Sequence, residues 1–287
     1  MKLIDSSYEI IEPKSYDLGS VFKHIELCGR VCYKSEDKIT PDSATKFVDR
    51  MIKSGHGAML EHGTVYLRIP TGLMAEVNQP YFKYLFNPYS KAICKYVPLD
   101  GHIYVTTNYR VLVENGWLDD LKYICEPTEC HEKRITVRFV CDRGVSHEFV
   151  RHRHFSFSQE STRYCNYSKD KFGNEITFIK PCFLDDSKLA LYGSYHTVIR
   201  DKSPESIFIA SLNNAEKDYI DLIELGWKPQ EARQVLPNAL KTELMMTGFA
   251  SDWAHFFSLR DDSKAHPDAQ KLAKPLHEEF INRKYID

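Results

Sequence analysis

The fold depends most on residues 134–164, which are RITVRFVCDRGVSHEFVRHRHFSFSQESTRY. Apolar and polar residues alternate from 134 to 141, and this alternation predicts a β-strand with one buried face. Asp142 can accept hydrogen bonds from the first turn of a helix, so it predicts an N-cap and a helix that runs to about Arg153. The polar and aromatic residues 154–174 have no regular spacing, which is typical of a functional loop.

Working outward from this stretch, the sequence predicts a mixture of strands and helices. Strands are expected at 8–11 and 64–69, and helices at 18–33, from a Thr40–Pro41 cap to Gly55, from Ser203 to Gly226, from Pro229, at 252–259 and at 267–283. We predict an α+β fold in one domain, 1–287, with a small mixed or antiparallel sheet flanked by helices and a mostly helical C-terminal third. The segment at about 70–133 is expected to be an insertion packed on the main fold.

The composition excludes several classes of protein. The 38 basic and 40 acidic residues sum to a net charge of −2, whereas a chain that tracks nucleic acid or an anionic membrane is usually far more basic. None of the eight cysteines forms a C-x-x-C pair, and no apolar run approaches the roughly 20 residues of a membrane span. The N-terminus has no apolar signal segment. We therefore expect a reduced, cytoplasmic protein without membrane or nucleic-acid partners.

The residues most indicative of chemistry lie between Arg143 and Arg163. This stretch holds four arginines, three histidines and four serines, including the consecutive residues Arg151, His152 and Arg153. A helix C-terminus attracts cations, and this explains one or two of the charges. It does not explain the hydroxyl and amide residues that follow. Guanidinium groups combined with hydroxyl donors indicate an anion site, and phosphate suits them best.

The same residues resemble the signature of the flavin-dependent thymidylate synthases. Arg151-His152-Arg153 is followed after seven residues by Ser161, within the sequence STRY at 161–164. Three further segments are similar to those of the family, namely GHGAMLEH at 55–62, EARQVLPNAL at 231–240 and FFSLR at 256–260. The resemblance covers most of the chain from about residue 20, except for the insertion at 70–133.

The resemblance implies methylation of dUMP to dTMP. Methylenetetrahydrofolate would supply the carbon, tightly bound FAD would supply the hydride, and NADPH would reduce the FAD. It also implies a homotetramer whose active sites are shared between subunits, and it implies no metal.

The resemblance also implies roles for individual residues. Arg260 matches the arginine that contacts the pyrimidine and favours ionisation at N3, and it is our catalytic candidate. Carbon 5 of uracil is a poor nucleophile until donors hold negative charge on the ring. Arg163 and Arg233 match arginines suited to the 5′-phosphate. The other positions assigned to dUMP are Glu148, Arg151, Gln159, Glu160, Ser161 and Thr162.

A second group of residues matches positions near the flavin. A cation near the flavin ring would stabilise its anionic reduced form. Two of these residues have alternative roles that the sequence leaves open, because His56 could instead satisfy a turn and Glu61 could cap a helix end. The positions assigned to FAD are Arg151, His152, Arg153, Gln159, His255, His56 and Glu61.

Several positions depart from the family pattern. Ser158-Gln159 replaces Asn-Glu, and Ala58 stands where a hydroxyl residue is common. Glu148 replaces a glutamine and would repel a phosphate unless it pairs with an arginine. An Asn-x-Arg pair and a second asparagine are replaced by Phe249, Ser251 and His255, and the aromatic ring of Phe249 could stack on adenine.

The sequence also allows three rival interpretations. Ser161 could act as a nucleophile only with a base within hydrogen-bond reach, and the resembled family is not thought to use one. Zinc could be bound by Cys125, Cys130 and His131, or by His147, His152 and His154, but neither set has the spacing of a structural zinc site. A nucleic-acid-binding module could use the basic stretch together with Phe149, Phe155, Phe157 and Tyr164 for base stacking. The net charge of −2 disfavours that module.

Overall fold

The computed structural model describes residues 1–70, 78–95, 101–185, 187 and 203–287. The strands are β1 (Lys2–Ile4), β2 (Ser7–Ile11), β3 (Thr64–Pro70), β4 (Lys91–Lys95), β5 (His102–Asn108), β6 (Arg134–Asp142), β7 (Ser156–Gln159), β8 (Thr177–Ile179) and β9 (Lys241–Phe249). The helices are α1 (Leu18–Val31), α2 (Ser43–Lys53), α3 (Gly57–Leu60), α4 (Asn78–Leu85), α5 (Tyr109–Asn115), α6 (Arg143–Phe149), α7 (Pro204–Glu224), α8 (Pro229–Ala232), α9 (Ala250–Arg260) and α10 (Pro267–Asn282).

The main sheet is antiparallel and has the strand order β2-β6-β9-β7. Because side chains alternate along a strand, Val137 and Phe139 of β6 lie on the same face of the sheet. Trp253 and Phe256 of α9 pack against that face, and α10 adds Phe280 to the same cluster. The predicted strand at 134–141 and the helices at 252–259 and 267–283 are confirmed.

Helix α1 covers the opposite face of the main sheet. Its N-cap, Asp17, accepts a hydrogen bond from the backbone N–H of Ser20. Cys28 and Val31 pack against Met245 of β9. The main sheet is therefore covered on both faces. The ends of its strands and the loops that follow them remain at its edge, where a ligand can reach them.

Strand β9 is the main element that the sequence does not predict within the mostly helical C-terminal third. It pairs with both β6 and β7 in the middle of the sheet. Both of its faces are buried, so its sequence lacks the alternation that marks a half-exposed strand. Gly248 permits close packing there, because a Cβ atom at this position would lie 2.5 Å from ring carbons of Phe155.

Three predicted boundaries also differ. The helix capped by Asp142 ends at Phe149 instead of about Arg153. Residues 156–159, expected within an irregular loop, pair with β9 as an edge strand because the sheet offers them backbone partners. The second helix begins at Ser43, after Asp42, and not at the Thr40–Pro41 pair. The α+β fold class itself is confirmed, with small antiparallel sheets flanked by helices.

The segment predicted as an insertion contributes to a second, three-stranded sheet of order β3-β5-β4. Ile103 and Val105 of β5 and Leu112 of α5 join a buried cluster with side chains from α1 and α2. The parts of the insertion at 71–77 and 96–100 lie outside the described residues. None of the described helices is both long enough and apolar enough to cross a membrane.

Candidate active site

The short helix α6 presents polar side chains to a cleft at the margin of the main sheet. Asp142 caps the helix by accepting a hydrogen bond from the backbone N–H of Val145 at 2.8 Å. Arg143 and His147 are four residues apart and therefore lie on one side of the helix. Both line a cleft of about 320 Å³, here called the Arg233 cleft, together with Thr162, Arg233 and Asn238.

The predicted nucleotide loop 159–163 reaches the Arg233 cleft through Thr162. Nη1 of Arg233 donates a hydrogen bond to Thr162 Oγ1 at 3.2 Å. The backbone N–H of Ser161 donates to Cys32 O at 3.0 Å, which anchors the loop to the end of α1. The Gln159 amide donates to Ser146 Oγ at 2.9 Å and so connects the loop to α6.

Glu160 is buried below this loop, and both of its carboxylate oxygens have partners. Tyr167 donates its hydroxyl at 3.0 Å, and Lys241 donates its ammonium at 2.8 Å. Lys241 also binds Glu243, whose pKa is lowered to about 2 because Lys241 and Lys34 outweigh the opposing effect of burial. In the described chain the side chain of Glu160 therefore supports the loop from below.

Arg260, the predicted catalytic residue, lies at the C-terminal end of α9 and contacts α6. Its Nη1 donates to the Glu148 carboxylate at 2.5 Å and its Nη2 donates to the Glu148 carbonyl at 2.8 Å. Its Nε donates to His152 Nε2 at 3.1 Å. These bonds use three of the five N–H groups of a guanidinium, so two remain for a ligand. The pairing that the sequence required of Glu148 is present.

His152 is held in its neutral form. Burial, with the charges of Arg260 and His255 adding to it, lowers the pKa of His152 to about 4. Since Nε2 accepts a hydrogen bond from Arg260, the ring proton of the neutral imidazole is on Nδ1. The orientation of the Arg260 guanidinium is thus set by a carboxylate, a carbonyl and a neutral imidazole.

Five of the seven residues predicted to contact a flavin line two adjoining clefts, and His56 and Gln159 line neither. The first, the Arg260 cleft of about 270 Å³, is lined by Arg151, His152, Arg153, His255 and Arg260 among others. The second, the Arg134 cleft of about 440 Å³, is lined by Glu61, Arg134, Arg153, Lys91 and Asn108 among others. Arg153, His154, Phe155 and Asp252 line both clefts.

The sequence leaves an alternative role open for two predicted residues, and the structure has the alternative feature only at Glu61. His56 is exposed at the start of α3 and makes no side-chain capping bond. It lines neither the Arg260 cleft nor the Arg134 cleft. Glu61 is the C-cap residue of α3. Its carboxylate accepts a hydrogen bond from Arg110 at 2.5 Å and also lines the Arg134 cleft.

The structure brings some of the predicted arginines together and leaves others apart. Arg233 and Arg260 line different clefts, which α6 connects through His147 and Glu148. The exposed Arg163 lines none of the three clefts, and its guanidinium lies 5.4 Å from the centre of the Tyr164 ring. A single chain therefore does not place Arg163, Arg233 and Arg260 in one pocket.

Two of the positions that depart from the family pattern, Phe249 and Ser251, contact charged side chains. The Phe249 ring has the Lys91 ammonium and the Arg134 guanidinium each 5.4 Å from its centre. Ser251 binds the Glu132 carboxylate through its hydroxyl at 2.5 Å. Ala58 lies exposed in α3.

Sequence reasoning missed four cleft residues. Arg143 and His147 carried a usable signal, namely their spacing of four on a helix with a clear N-cap. Lys91 and Arg134 carried none, because one lies in the insertion and the other at the start of a core strand. Arg134 reaches the Phe249 ring because β6 pairs with β9, and Lys91 reaches the same ring only through the tertiary fold.

Neither proposed set of zinc ligands forms a cluster. Within the described ranges, no group of three or more His, Cys, Asp or Glu side chains is arranged to hold a metal ion. His131 instead places Nε2 3.1 Å from Leu67 O, and His152 binds Arg260. All eight cysteines, which lie in described segments, are free thiols.

Comparison with known proteins agrees with the motifs. Residues 128–283 match the family model described as thymidylate synthase complementing protein. The chain is 26% identical over 257 residues to the flavin-dependent thymidylate synthase of Mycolicibacterium gilvum, covering 87% of this chain and 71% of that protein. It is 30% identical over 137 residues to that of Mycobacteroides abscessus, covering 46% and 50%. A solved structure, the UMP/dUMP methylase PolB from Streptomyces cacaoi bound with 5-Br dUMP, has a TM-score of 0.42 and 16% identity, covering 98% of this chain and 93% of that one.

Proposed function

The chain belongs to the thymidylate synthase complementing protein family, and on that premise we propose that it is a flavin-dependent thymidylate synthase that methylates dUMP to dTMP. One observation carries the proposal. Helix α6 connects two arginine clefts, because His147 lines the Arg233 cleft while the next residue, Glu148, binds Arg260. A nucleotide has a phosphate at one end and a base at the other, and this arrangement offers a separate guanidinium to each.

The Arg233 cleft is the proposed site of the 5′-phosphate. Arg233 and Arg143 supply guanidinium groups, and Thr162 supplies a hydroxyl. The hydrogen bond from Arg233 to Thr162 holds the guanidinium at the wall of the cleft. Hydrogen bonds from cations to phosphate are roughly twice as strong as bonds between neutral groups, so these contacts supply much of the affinity for dUMP.

Arg260 is the proposed pyrimidine contact. Its two unused N–H groups can donate to the ring as negative charge develops there, which is the electronic change that carbon 5 needs before it can accept a methylene group. Glu148 and His152 fix the guanidinium before the substrate binds. Such preorganisation avoids the cost of reorienting donors during the reaction.

The Arg260 and Arg134 clefts together fit a flavin cofactor. Arg151 and Arg153 make no hydrogen bond or ion pair with the rest of the described chain, and the Arg134 Nε atom is buried without a partner there. These free donors suit an anionic ring and a phosphate-bearing tail. A flavin held there would supply the hydride that completes the methyl group, with NADPH as its proposed reductant. The residues proposed to hold it are Arg151, His152, Arg153, Gln159, His255, His56 and Glu61.

The remaining parts of the proposal follow from the family. We propose methylenetetrahydrofolate as the carbon donor, a homotetramer with active sites shared between subunits, and a cytoplasmic location. Shared sites would give the exposed Arg163 a neighbouring subunit's nucleotide to bind. Glu160 stays among the residues proposed to contact dUMP, and its bonds to Tyr167 and Lys241 would also hold the nucleotide loop in place.

An absorbance spectrum of the purified protein tests the function. We expect a yellow protein whose flavin band bleaches with NADPH, and formation of dTMP once dUMP and methylenetetrahydrofolate are added. A colourless protein that forms no dTMP would contradict the proposal. If that protein bound oligonucleotides with a steep salt dependence, the nucleic-acid-binding alternative would replace it.

Replacing Arg233 with alanine tests the phosphate site. The dissociation constant for dUMP should rise about 10- to 100-fold, because a hydrogen bond to a charged group contributes about 1.5–3 kcal/mol. Binding of deoxyuridine, which lacks the phosphate, should stay within about twofold of wild type because nothing at its 5′ end needs the guanidinium. Calorimetric titration of both ligands measures the difference. Arg233→Lys is the matched control, since it keeps the charge but loses the bidentate geometry. Its dissociation constant for dUMP should lie between those of wild type and Arg233→Ala. Equal losses for both ligands would remove Arg233 from the phosphate site.

A further inference from the structure

The Arg134 cleft contains a buried cation whose charge is not neutralised by any carboxylate bond. Arg134 is 7% exposed. Its hydrogen bonds go to neutral oxygens only, namely Glu61 O at 3.0 Å, Thr64 Oγ1 at 3.4 Å and Ser156 Oγ at 3.3 Å. Its Nε atom has no partner among the described residues. Burial lowers the pKa of Arg134 to about 10, so it still carries its charge at neutral pH. A buried charge of this kind is costly unless an anion joins it.

The other groups around the cleft leave a positive excess. Lys91 is 3.8 Å from its carboxylate partner Glu132, which is long for an ion pair, and Arg153 makes no ion pair with the described residues. The two carboxylates that line the cleft are already engaged. Glu61 accepts from Arg110 at 2.5 Å, and Asp252 accepts from the Phe249 backbone N–H at 3.2 Å. Three cations, Lys91, Arg134 and Arg153, therefore line the cleft, and both carboxylates that line it already accept hydrogen bonds from other groups.

The position of the cleft indicates what kind of anion fits. It adjoins the Arg260 cleft, and Arg153, His154 and Phe155 form part of both linings. A ligand that places a planar ring in the Arg260 cleft can thus extend a phosphate-bearing tail toward Arg134. The Arg134 cleft, of about 440 Å³, is larger than a single phosphate requires and has the aromatic surfaces of Tyr89, Phe155 and Phe249.

The far wall of the cleft comes from the inserted segment. Lys91 is the first residue of β4, and its ammonium lies over the Phe249 ring, opposite the main sheet. Lys91 is about half exposed, so its side chain can reorient toward a ligand. We propose that Lys91 and Arg134 together bind the diphosphate of the dinucleotide cofactor, so that the insertion makes this chain selective for a flavin that carries a diphosphate. This inference rests on the proposed function, because it takes FAD as the cofactor.

Replacing Lys91 with glutamine tests the inference without disturbing the core. Flavin binding to the purified full-length protein can be followed by quenching of flavin fluorescence, with FAD and riboflavin as separate probes, at low and moderate salt. The affinity for FAD should fall about tenfold, the effect of one charge-assisted hydrogen bond, while the affinity for riboflavin stays unchanged. The salt dependence of FAD binding should also become shallower, since fewer cations contact the phosphates. Lys46→Gln, an exposed lysine on α2, is the matched control and should leave both affinities unchanged.

The possible outcomes separate this inference from the function it rests on. Wild-type protein that binds FAD, with unchanged affinity in Lys91→Gln, would overturn the role of Lys91 and leave the proposed function standing. An equal loss of FAD and riboflavin would also overturn it, because the lysine would then support the cleft and not the diphosphate. Wild-type protein that binds neither flavin would overturn both proposals. Free ADP that displaces FAD from wild type but not from Lys91→Gln would add support for the diphosphate contact.

Discussion

Replacing Arg260 with alanine is expected to lower kcat/KM for dTMP formation by about a thousandfold, the upper range for loss of one preorganised donor group. Arg260 has two N–H groups left for the pyrimidine, while its other bonds go to Glu148 and His152. The variant removes the donor and also leaves the Glu148 carboxylate without its cation. A carboxylate released beside the substrate adds repulsion to the loss of stabilisation. Initial rates with dUMP, methylenetetrahydrofolate and NADPH measure the effect.

The controls for this variant use the other arginines of the chain. Arg260→Lys keeps the charge but cannot bond to all three of its partners, so it should recover only a small part of the rate. Arg283→Ala removes an arginine that follows the last helix and binds Glu279, and it should leave the rate unchanged. The flavin content of Arg260→Ala should stay near that of wild type, because Arg151, Arg153 and Arg134 remain to hold the cofactor, whereas its thermal midpoint should fall because the partly buried Glu148 loses its ion-pair partner. Turnover near the wild-type rate would remove Arg260 from catalysis.

Acidification is expected to destabilise the protein by about 5 kcal/mol between pH 7.5 and about pH 4.5. The cause is a buried hydrogen-bonded chain between α1 and the main sheet. His24 Nε2 lies 2.9 Å from Thr136 Oγ1, which lies 2.7 Å from Thr247 Oγ1, and this hydroxyl lies 2.8 Å from His62 Nδ1. Burial, with Arg134 adding to it, lowers the pKa of His24 to about 4. Burial, with His24 and Arg134 adding to it, lowers the pKa of His62 to about 3.

The direction follows from comparing folded and unfolded chains. Well above pH 6.5 these histidines are neutral in both the folded and the unfolded chain, so the free energy of unfolding does not change with pH on their account. As the pH falls below that value, the unfolded chain binds two protons that the folded chain does not, and stability is lost until the folded pKa values are reached. Each histidine contributes roughly 2.5 kcal/mol of loss by about pH 4.5, against a total stability of about 5–15 kcal/mol for a typical protein. The pKa of Glu243 is about 2, so its contribution is lost only at lower pH.

Urea unfolding followed by circular dichroism at several pH values measures this effect. His62→Gln keeps a polar side chain next to Thr247 but binds no proton, so it should remove about half of the pH dependence. His56→Gln changes an exposed histidine and should leave the profile unchanged. A wild-type stability that is flat from pH 7.5 to 4.5 would show that these rings are not buried in the neutral form.

Much of the fold and of the chemistry could be predicted from local sequence. The strand at 134–141 and the cap at Asp142 come from residues within a few positions of each other, and each motif behind the family resemblance is a short local segment; the structure and the comparisons confirm them. The sequence also predicts that the basic stretch binds an anion, because adjacent arginines beside hydroxyl residues suit few other ligands. The site roles assigned to individual residues stay predictions until the variants above are measured.

Other features could not be predicted because their signals are not local. Strand β9 lacks alternation since both faces are buried, and its neighbours β6 and β7 lie about a hundred residues away along the chain. The same holds for Lys91, which reaches Phe249 only because the insertion folds back beside the main sheet. Sequence spacing contains no information about such approaches.

The sequence by itself determined the elements around residues 134–164 and the type of ligand that their side chains suit, because capping, alternation and charge density act over a few residues. Only the tertiary structure decided which groups meet. Arg260 is paired with Glu148, 112 residues before it, because α9 packs on the main sheet and α6 directly follows β6 of that sheet. The physical reason is that contacts between distant segments depend on how whole elements bury their apolar faces, and that packing is settled by the chain as a whole.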